Sequence, residues 1–433
     1  MVNKTGLLAT VKSCMFSRDK KKRKQIVTKK QQAETTSTMA ALASPPASAA
    51  ANPIMIMDHE ANSSSSFNPE TSKMNEKCNR IRDCLQKDQD DDEENEESSY
   101  NNSSCNNLWE LRELALTEGG LCTGELRQKI WPALVGLRDD QLEETAKLFE
   151  PALLCDTVFS EEDDRERDLI RRDVGRSVLF HRNCPSPVSV VSSSAGNNHY
   201  PAANDSLLLD NRSATKKHNK NNDPELTTST LAAVLTATVS APLTPQQGKP
   251  FYYQGLHDIG GVLLQTMDLD EITTTAILRR LCQSHLRDAV RENFADLTWF
   301  LDTFLMRVLE KIDPQVHEAI VLSGVPLVST VMPWLITWFT HCIHEEECAS
   351  RLLDAFMASH PLLPFYFSVT LMVHPKFRMD IVTAELDDPS SMHFAIQHLP
   401  ARIGSDWSTT SSAEQDGDCV PAQELIETAI SIM

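Results

Sequence analysis

Residues 251–267 read Phe-Tyr-Tyr-Gln-Gly-Leu-His-Asp-Ile-Gly-Gly-Val-Leu-Leu-Gln-Thr-Met, and the pattern of these residues indicates the fold class. A Pro/Gln/Gly loop at 242–249 leads into it, and its apolar pattern predicts a helix over 257–267. Helical patterns then continue over 270–285, 287–310, 313–321, 328–344, 346–358 and 362–373. No segment alternates convincingly as a strand would. The sequence therefore predicts an all-α fold, a single domain of many short helices packed around one core.

The helical pattern extends to both sides of this region. Further helices are predicted from near Leu108 to Gly119-Gly120, behind an N-cap at Thr123, over Glu161 to Phe180, from Asp223-Pro224 and from Pro421. After the Thr123 cap, Leu126, Ile130 and Trp131 fall on one helix face. We expect that face to be buried.

Composition divides the 433 residues into one folded unit and two segments predicted to be disordered. Residues 1–105 carry few clustered large apolar side chains, so they could not bury enough surface to offset the entropy of ordering. Residues 185–222 are rich in Ser, Asn and Ala and are predicted to be a flexible insertion. We therefore place one domain at 106–433, interrupted by that insertion. The basic run at 18–24 could be a nuclear address, a contact for anionic lipid or a solvated cluster in the tail.

Overall charge and cysteine usage exclude several functional classes. The formal charge of −20 argues against nucleic acid as a partner, because phosphate contacts need a basic face. The 11 cysteines are scattered without a CxxC pair, which indicates reduced thiols in the cytosol or nucleus. The apolar stretch 324–343 is long enough to be considered as a membrane span, but Pro326 and Pro333 break it. A turn followed by a buried helix is the better interpretation.

Two short segments carry most of the functional information: Ile170-Arg171-Arg172-Asp173-Val174-Gly175-Arg176 and Tyr252-Tyr253-Gln254-Gly255. The first ends in an arginine, and an arginine beside a γ-phosphate neutralises charge that develops during GTP hydrolysis. The second presents a glutamine, whose amide can hold the attacking water in line. On a helix Asp173 and Arg176 would be neighbours, which also fits a plain surface ion pair. Together the segments favour a function in GTP hydrolysis.

Written as Ile-x-x-Asp-x-x-Arg and Tyr-x-Gln-Gly, the two segments resemble the dual fingers of the TBC-domain GTPase-activating proteins that act on Rab GTPases. The stretch 120–136, which contains Leu126-Arg127 and Trp131-Pro132, resembles the opening of these domains. His257 stands where most TBC domains carry asparagine, which is similar to the member-20 subgroup. The same subgroup is suggested by the motifs at 285–288, 333–339, 351–356 and 359–364.

This resemblance implies a division of roles within the two segments. Arg176 would be a catalytic arginine finger braced by Asp173, and Gln254 would orient the water in place of the GTPase's own glutamine. Gly255 would let the backbone approach the GTPase without a Cβ clash, and Tyr252 would pack beneath the loop. The residues expected to support the fingers or to contact the GTPase's switch region are Ile170, Arg172, Asp173, Tyr252, Gly255, His257 and Asp258.

The partner and the place of action are also implied by the resemblance. The partner would be a Rab-family GTPase in its GTP form. Because the nucleotide and its Mg²⁺ belong to that partner, we expect no cofactor or metal of the chain's own. Subgroup members act in early secretory traffic, so we expect a cytoplasmic protein at the cytosolic face of the endoplasmic reticulum or the Golgi. Such members typically carry a hydrophobic anchor after the last helix. This sequence reaches Met433 without one, so a soluble variant, a truncated chain or recruitment by a partner stay open.

Other functions stay open at this point. A non-catalytic Rab-binding scaffold would keep the fold without accelerating hydrolysis, but the presence of both finger residues favours a catalytic activator. His257-Asp258 could also belong to a metal phosphohydrolase, although such sites need further ligands and a helix cap explains the pair better. His341-x-x-His344 with Cys342 has near-ligand spacing for zinc, yet core or interface histidines are the more common outcome.

Overall fold

The computed structural model describes residues 69–94, 103–149, 161–176, 224–343, 345–385, 388–406 and 419–433. These residues form the all-α fold that the sequence predicts. The helices before the glutamine segment are α1 (Pro69–Glu94), α2 (Ser103–Leu116), α3 (Gly124–Leu134), α4 (Asp139–Lys147), α5 (Glu161–Val174) and α6 (Pro224–Ser240).

The helices after that segment complete the domain. They are α7 (Leu256–Thr266), α8 (Glu271–Gln283), α9 (Ala295–Phe300), α10 (Met306–Ile312), α11 (Pro314–Ser323), α12 (Leu327–Ile336), α13 (Glu346–Ala358), α14 (Leu363–Val373), α15 (Pro375–Val382), α16 (Pro389–Gln397) and α17 (Ala422–Ile432). A π-helical turn, Leu301–Leu305, joins α9 to α10, and a 3₁₀ turn, Leu399–Arg402, follows α16. Within the described residues the strands are limited to β1 (Ile403–Gly404) and β2 (Val420–Pro421), which pair in parallel.

The core is a cluster of apolar side chains with α13 near its centre, where every residue from Cys348 to Ala358 is buried. Aromatic rings join α13 to its neighbours. Trp338 meets Phe356 edge-on with ring centroids 5.6 Å apart, and Phe339 meets Phe367 in the same way at 5.0 Å. Such pairs contribute roughly 0.5–1.5 kcal/mol beyond the area that they bury. They fix the segment that follows α12 against α13 and α14.

Two of the helices predicted after the glutamine segment have wrong bounds. The helix predicted over 287–310 begins only at Ala295, because turns precede it and the side chain of Asn293 accepts the Ala295 N–H at 3.0 Å. The helix predicted over 328–344 ends at Ile336, because Trp338 and Phe339 adopt φ values of 49° and 65°. A left-handed residue costs roughly 1–2 kcal/mol, whereas burying a large apolar side chain contributes about 1.5–3 kcal/mol. Core burial of the two rings therefore outweighs continuation of the helix.

Helices α15 and α16 are absent from the sequence prediction. Each is short and begins with a proline directly after a capping residue. The ring of His374 accepts the Lys376 N–H at 3.3 Å, and the carboxylate of Asp388 accepts the Ser390 N–H at 2.9 Å. Capping of this kind sustains short helices whose apolar periodicity spans too few turns to be recognised.

Helix α1 corrects the predicted disorder of residues 1–105 over the part from 69 to 94. Its Cys78, Ile81 and Cys84 are buried in the core. The ammonium of Lys77 donates to the carbonyls of Thr117 and Glu118 at 3.1 and 2.6 Å, and burial lowers the pKa of Lys77 to about 8. The folded part therefore begins before residue 106. Residues 1–68 and 95–102, and the insertion predicted at 185–222, lie outside the described residues.

A buried group of polar contacts ties α3 to α13. The carboxylate of Asp354 accepts from Arg127 Nε at 3.1 Å, from Trp131 Nε1 at 2.8 Å and from the Leu121 N–H at 3.0 Å. A Cβ at Gly120, whose φ is +54°, would stand 2.4 Å from Asp354 Oδ2, so this position requires glycine. The predicted N-cap at Thr123 is confirmed, since its side chain accepts the Leu126 N–H at 3.3 Å.

The apolar stretch 324–343 is a turn followed by a buried helix, as predicted. Gly324 ends α11 with φ of 71°, and α12 then packs into the core. Among the described residues, no single helix is long and apolar enough to cross a membrane. Helices α11 and α12 reach that length only when they are taken together, and they are bent by 114° at the break between them.

Candidate functional site

Gln254 occupies a turn directly before α7, and its side chain is exposed. We call residues 249–255 the glutamine loop. Gly255 ends this loop with φ of +114°, and a Cβ there would stand 2.7 Å from Thr337 Cγ2. The chain's own fold therefore fills the space beside Gly255, whereas the sequence prediction assigned that space to the GTPase. Glycine at this position lets the turn lie flat against the end of α12.

Tyr253 fastens the glutamine loop to α12. Its side chain is buried, its hydroxyl donates to the Ile336 carbonyl at 2.8 Å, and its ring meets Phe294 edge-on at 5.9 Å. Burial raises the pKa of Tyr253 well above its ordinary value, so the phenol stays protonated and keeps donating. One residue earlier in the loop, the Phe251 N–H donates to the Val290 carbonyl at 2.9 Å. The backbone on the N-terminal side of Gln254 is thus held at two points.

Tyr252 joins the glutamine loop to the arginine segment. Its hydroxyl donates to Asp173 Oδ2 at 3.2 Å, although the two residues are 79 positions apart in sequence. Its N–H donates to Glu166 Oε1 at 3.0 Å. Both Tyr252 and Asp173 are buried. Burial, and then the neighbouring Asp173 carboxylate, raise the pKa of Tyr252, so its hydroxyl keeps its proton. The fold therefore brings the two predicted segments together through Tyr252 and Asp173.

A second contact between the loop and α5 is ionic. The ammonium of Lys249 lies 2.6 Å from Asp163 Oδ1 and 3.3 Å from Glu166 Oε2. Lys249 and Asp163 are partly exposed, so this pair contributes little to stability. It does fix where the glutamine loop begins relative to α5.

His257 holds the inner side of the loop. Its Nδ1 accepts the Gly255 N–H at 3.2 Å and lies 3.2 Å from the Tyr252 hydroxyl. Because Nδ1 accepts, the ring proton is assigned to Nε2, which lies 3.5 Å from Asp258 Oδ1. Burial lowers the pKa of His257, which favours this neutral form. By accepting the Gly255 N–H, His257 supports the turn that contains Gln254, as a helix-capping side chain would.

Asp258 links this cluster to the segment after α12. Its Oδ2 lies 3.0 Å from Nδ1 of His341, which is half-exposed. The hydrogen bond that His341 makes to the Asp258 carboxylate raises the pKa of His341 and favours an ion pair. Asp258 itself is buried. Its carboxylate is thus engaged by two histidines, one from inside the fold and one from the surface.

Arg176 follows directly after α5. The helix predicted over 161–180 ends at Val174, and Gly175 and Arg176 form a turn. The Arg176 N–H donates to the Asp173 carbonyl at 3.0 Å, and the Arg176 side chain is exposed. Within the described residues no salt bridge joins Asp173 to Arg176, because the Asp173 carboxylate binds Tyr252 instead. Asp173 therefore contacts Arg176 through its backbone carbonyl, whereas the expected contact was with its side chain.

The remaining predicted residues of this segment divide between core and surface. Ile170 is fully buried on the inner face of α5. Arg172 lies on the exposed face, where its Nε donates to the Asp168 carbonyl at 3.2 Å. Of the predicted site residues, the fold gathers Ile170, Asp173, Tyr252, Gly255, His257 and Asp258 into one buried cluster. It leaves Arg176, Arg172 and Gln254 exposed at the surface above that cluster.

The structure bears directly on the two metal hypotheses. Over the parts of the chain that the structure describes, no three His, Cys, Asp or Glu side chains form a group that could hold a metal ion. His341 lies in a turn after α12 and binds Asp258, while His344 lies outside the described residues. His257 and Asp258 are engaged with the glutamine loop and with each other. His257 therefore supports the glutamine loop, and His341 binds Asp258.

Residues 196–380 match the family model described as the Rab-GTPase-TBC domain. This part of the chain is similar to TBC domains. The matched range includes the glutamine loop, α7 and the buried cluster's Asp258, and it begins after the arginine turn. The resemblance inferred from the two short motifs is thereby confirmed at the level of the family.

Named relatives agree with this assignment. TBC1 domain family member 20 of Bos taurus is 26% identical over 335 residues, which are 76% of this chain and 67% of the relative. The protein of the same name from Homo sapiens is 25% identical over the same shares. The GTPase-activating protein gyp10 of Schizosaccharomyces pombe is 27% identical over 152 residues, or 35% of this chain and 40% of that protein.

Two solved structures match this chain. The Chlamydomonas flagellar RabGAP TBC domain superposes with a TM-score of 0.42 at 13% identity, covering 84% of this chain and 96% of that one. The Ypt/Rab-GAP domain of Gyp1p superposes with a TM-score of 0.49 at 12% identity, covering 75% and 92%.

Several residues that shape the site were not predicted from the sequence. They are Asp163 and Glu166 on α5, Lys249 in the loop, and Thr337 and His341 after α12. A signal was present for α5, because Asp163, Glu166, Ile170 and Asp173 recur at helical spacing and therefore share one face. For Thr337 and His341 there was no comparable signal, since both lie beyond the point where the helix ends.

Proposed function

We propose that this chain accelerates GTP hydrolysis by a Rab-family GTPase, and that it supplies Arg176 and Gln254 to the GTPase's nucleotide site. The observation that carries the proposal is the Tyr252–Asp173 hydrogen bond, which fastens the two segments together. The TBC domain and the relative named as a GTPase-activating protein support the activity. The exposed positions of both side chains support the mechanism.

Arg176 is proposed to act as a positive charge beside the γ-phosphate. Negative charge spreads over the phosphate oxygens in the transition state, and a guanidinium can neutralise it with two parallel hydrogen bonds. An arginine supplied in this way is worth roughly 10³–10⁵ in rate. The turn after α5 suits the role, because the Arg176 N–H is fixed to Asp173 while the side chain stays free of salt bridges among the described residues.

Gln254 is proposed to orient the attacking water. Its amide oxygen can accept a proton of the water while its amide nitrogen donates to a phosphate oxygen. Positioning of this kind is effective only if the backbone is held before the partner arrives. The glutamine loop meets that condition, since Tyr252, Tyr253 and His257 hold it from three sides. Gln254 is left as the exposed side chain at its tip.

The other predicted residues are proposed to position these two. Asp173 and Tyr252 hold the segments together, and His257 with Asp258 supports the turn from inside. Ile170 anchors α5 in the core, and Arg172 is exposed beside the arginine turn where a switch region could meet it. GTP and Mg²⁺ would be carried by the partner, so the proposal needs no cofactor held by this chain.

We also propose the partner's state and location. The partner is the GTP form of a Rab, because the fingers have a γ-phosphate to act on only in that form. Because the sequence motifs resemble the member-20 subgroup, we place this role in early secretory traffic, in the cytoplasm at the surface of the endoplasmic reticulum or the Golgi; relatives of that name match the chain.

Phosphate release from a panel of GTP-loaded Rab GTPases tests the proposal. The wild-type chain is compared with Arg176→Ala and Gln254→Ala, and with the exposed control variants Arg138→Ala and Gln397→Ala. We expect acceleration of at least one GTPase that both finger variants lose and both controls retain. A wild-type chain that binds GTP-loaded Rab without accelerating hydrolysis would instead be a scaffold.

A further inference from the structure

A groove runs alongside the glutamine loop. It lies between the turns that follow α8, together with α9, on one side, and the end of α12 with the start of α14 on the other. Its volume is about 560 Å³. The apolar side chains that line it include Leu286, Trp299, Phe300, Ile336, Trp338 and Phe365.

The wall of the groove carries a large aromatic side chain that the fold does not bury. Trp299 is 68% exposed. The next residue, Phe300, also lines the groove, and it meets Phe365 edge-on at 4.8 Å and stacks on Phe304 at 4.7 Å, so Trp299 is followed directly by a packed aromatic group. Exposed tryptophans on rigid apolar bases are typical of residues that dominate binding energy at interfaces. An apolar groove of this kind indicates a binding surface.

Charged side chains of both signs surround the groove. Arg287 lies 3.2 Å from Asp288, Arg291 lies 3.1 Å from the same Asp288, and Arg291 also lies 2.6 Å from Asp296. These pairs are exposed and contribute little to the stability of the fold. A polar rim around an apolar centre is the usual arrangement of a protein–protein interface. The alternation of signs would select among partners by the charges that they present.

The groove is continuous with the glutamine loop. Ile336 lines it, and Ile336 Cγ1 lies 3.9 Å from the position that a Cβ at Gly255 would take. The Ile336 carbonyl also accepts the hydroxyl of Tyr253. A stable protein interface covers about 800 Å² on each partner, a patch roughly 30 Å across. A GTPase that places its nucleotide at Gln254 would therefore cover the groove as well.

We propose that this groove is a docking surface for the same GTP-loaded GTPase. It would receive apolar side chains that the GTPase exposes beside its nucleotide site. The proposal rests on the proposed function, because it takes the partner from it. It adds that the two parts of the surface have different roles. Arg176 and Gln254 act on the phosphate, whereas Trp299 and the charged side chains around the groove set the affinity and the choice among GTPases.

The test compares Trp299→Ala with Trp109→Ala. Trp109 on α2 is 66% exposed, so the control matches residue type and exposure. For a Rab that the wild-type chain activates, the Kd is measured with the GTPase bound to a non-hydrolysable GTP analogue, and kcat and KM are measured with GTP. We expect Trp299→Ala to raise Kd and KM by about tenfold or more while kcat at saturation stays within about twofold, since truncated tryptophan hot spots cost at least that much. Trp109→Ala should match the wild type.

Other outcomes separate this proposal from the proposed function. If Trp299→Ala keeps wild-type Kd and KM while Arg176→Ala abolishes turnover, the groove is not a docking surface and the finger mechanism stands. A large fall in kcat for Trp299→Ala with unchanged Kd would also overturn the docking role. If Trp299→Ala weakens binding but Arg176→Ala leaves turnover unchanged, the docking surface stands and the finger mechanism fails. Thermal melting of both tryptophan variants shows whether their folds are intact.

Discussion

The hydroxyl of Tyr252 donates a hydrogen bond to the buried carboxylate of Asp173 at 3.2 Å, and this contact joins two segments that are 79 positions apart in sequence. It holds the segment that ends in Arg176 against the distant loop that carries Gln254. A buried carboxylate requires a donor, and a buried phenol requires an acceptor. Each segment therefore supplies the group that the other needs.

Tyr252→Phe should weaken both stability and catalysis. The substitution removes the hydroxyl that donates to the buried Asp173 carboxylate. The carboxylate then lacks this hydrogen bond, which lowers the free energy of unfolding by about 1–3 kcal/mol. Because the glutamine loop loses its link to α5, we expect kcat for GTPase activation to fall by roughly tenfold, with a smaller change in KM. Urea unfolding and phosphate release measure the two effects. Tyr366→Phe on α14 is the matched control, and an equal loss in that variant would contradict the specific role of Tyr252.

Gly255→Ala should destabilise the fold through two separate causes. The position has φ of +114°, and the new Cβ would stand 2.7 Å from Thr337 Cγ2. Backbone strain alone costs of order 1–3 kcal/mol, and the clash adds to it. Gly248→Ala tests the backbone cause alone, since φ is +73° there and no atom lies near the added Cβ.

The double variant Gly255→Ala with Thr337→Ser separates the clash from the strain. Serine keeps the hydroxyl that bonds to the Pro333 carbonyl but lacks the methyl group at Cγ2. We expect it to recover part of the lost stability, measured as a shift in the urea midpoint. No recovery would show that the close approach to Thr337 is not what requires glycine.

Stability near His341 should depend on pH. Hydrogen bonding to Asp258 raises the pKa of His341, so its contribution is fully present below the unfolded value of about 6.5 and is lost as pH rises through the folded-state pKa. His257, beyond the same carboxylate, has its pKa lowered by burial, so it acts with the opposite sign. Because the wild type and a His341→Gln variant both contain His257, the effect of His257 largely cancels in the difference between their free energies of unfolding.

Urea unfolding of the wild type and His341→Gln across about pH 5.5 to 8.5 checks this sign. We expect the wild type to be the more stable of the two at the acidic end and the two to converge at the alkaline end. The difference should stay below about 1 kcal/mol, because His341 is half-exposed. His317→Gln is the control. A difference that grows with pH would contradict the ion pair.

Asp354→Ala should be among the most damaging substitutions outside the site. It removes one of the two carboxylates that pair with the buried Arg127, which keeps Glu347, and it also removes the acceptor for Trp131 and Leu121. The buried Trp131 and Leu121 donors are left without an acceptor, and each unsatisfied buried group costs about 1–3 kcal/mol. Asp140→Ala breaks an exposed pair with Arg138 and should leave the melting temperature unchanged. Similar melting temperatures for both variants would show that the buried network does not hold α3 to α13.

The sequence predicted the features that depend on residues close together in the chain. The helix after Tyr252-Tyr253-Gln254-Gly255 and the N-cap at Thr123 follow from residues that are neighbours in sequence. The end of α12 could not be predicted in this way. The left-handed conformations of Trp338 and Phe339 depend on core partners in α13 and α14, which no local pattern shows.

Helix α1 shows a different limit. Met74, Cys78, Ile81 and Leu85 recur at helical spacing and face the core, yet they are embedded in a polar, charged stretch. Averaged composition therefore hid a real apolar face. For the site, the sequence predicted residue types but not their partners, since the contact of Asp173 with Tyr252 joins distant segments. The catalytic roles of Arg176 and Gln254 stay predictions.

The most direct test of the central claim uses a Rab whose own catalytic glutamine has been replaced by alanine. If Gln254 orients the water, the wild-type chain should still accelerate phosphate release from this GTPase by a large factor, and both Gln254→Ala and Arg176→Ala should lose the effect. If the wild-type chain activates the unaltered Rab but not the substituted one, the water is oriented by the GTPase's own glutamine. That result would contradict the proposed role of Gln254.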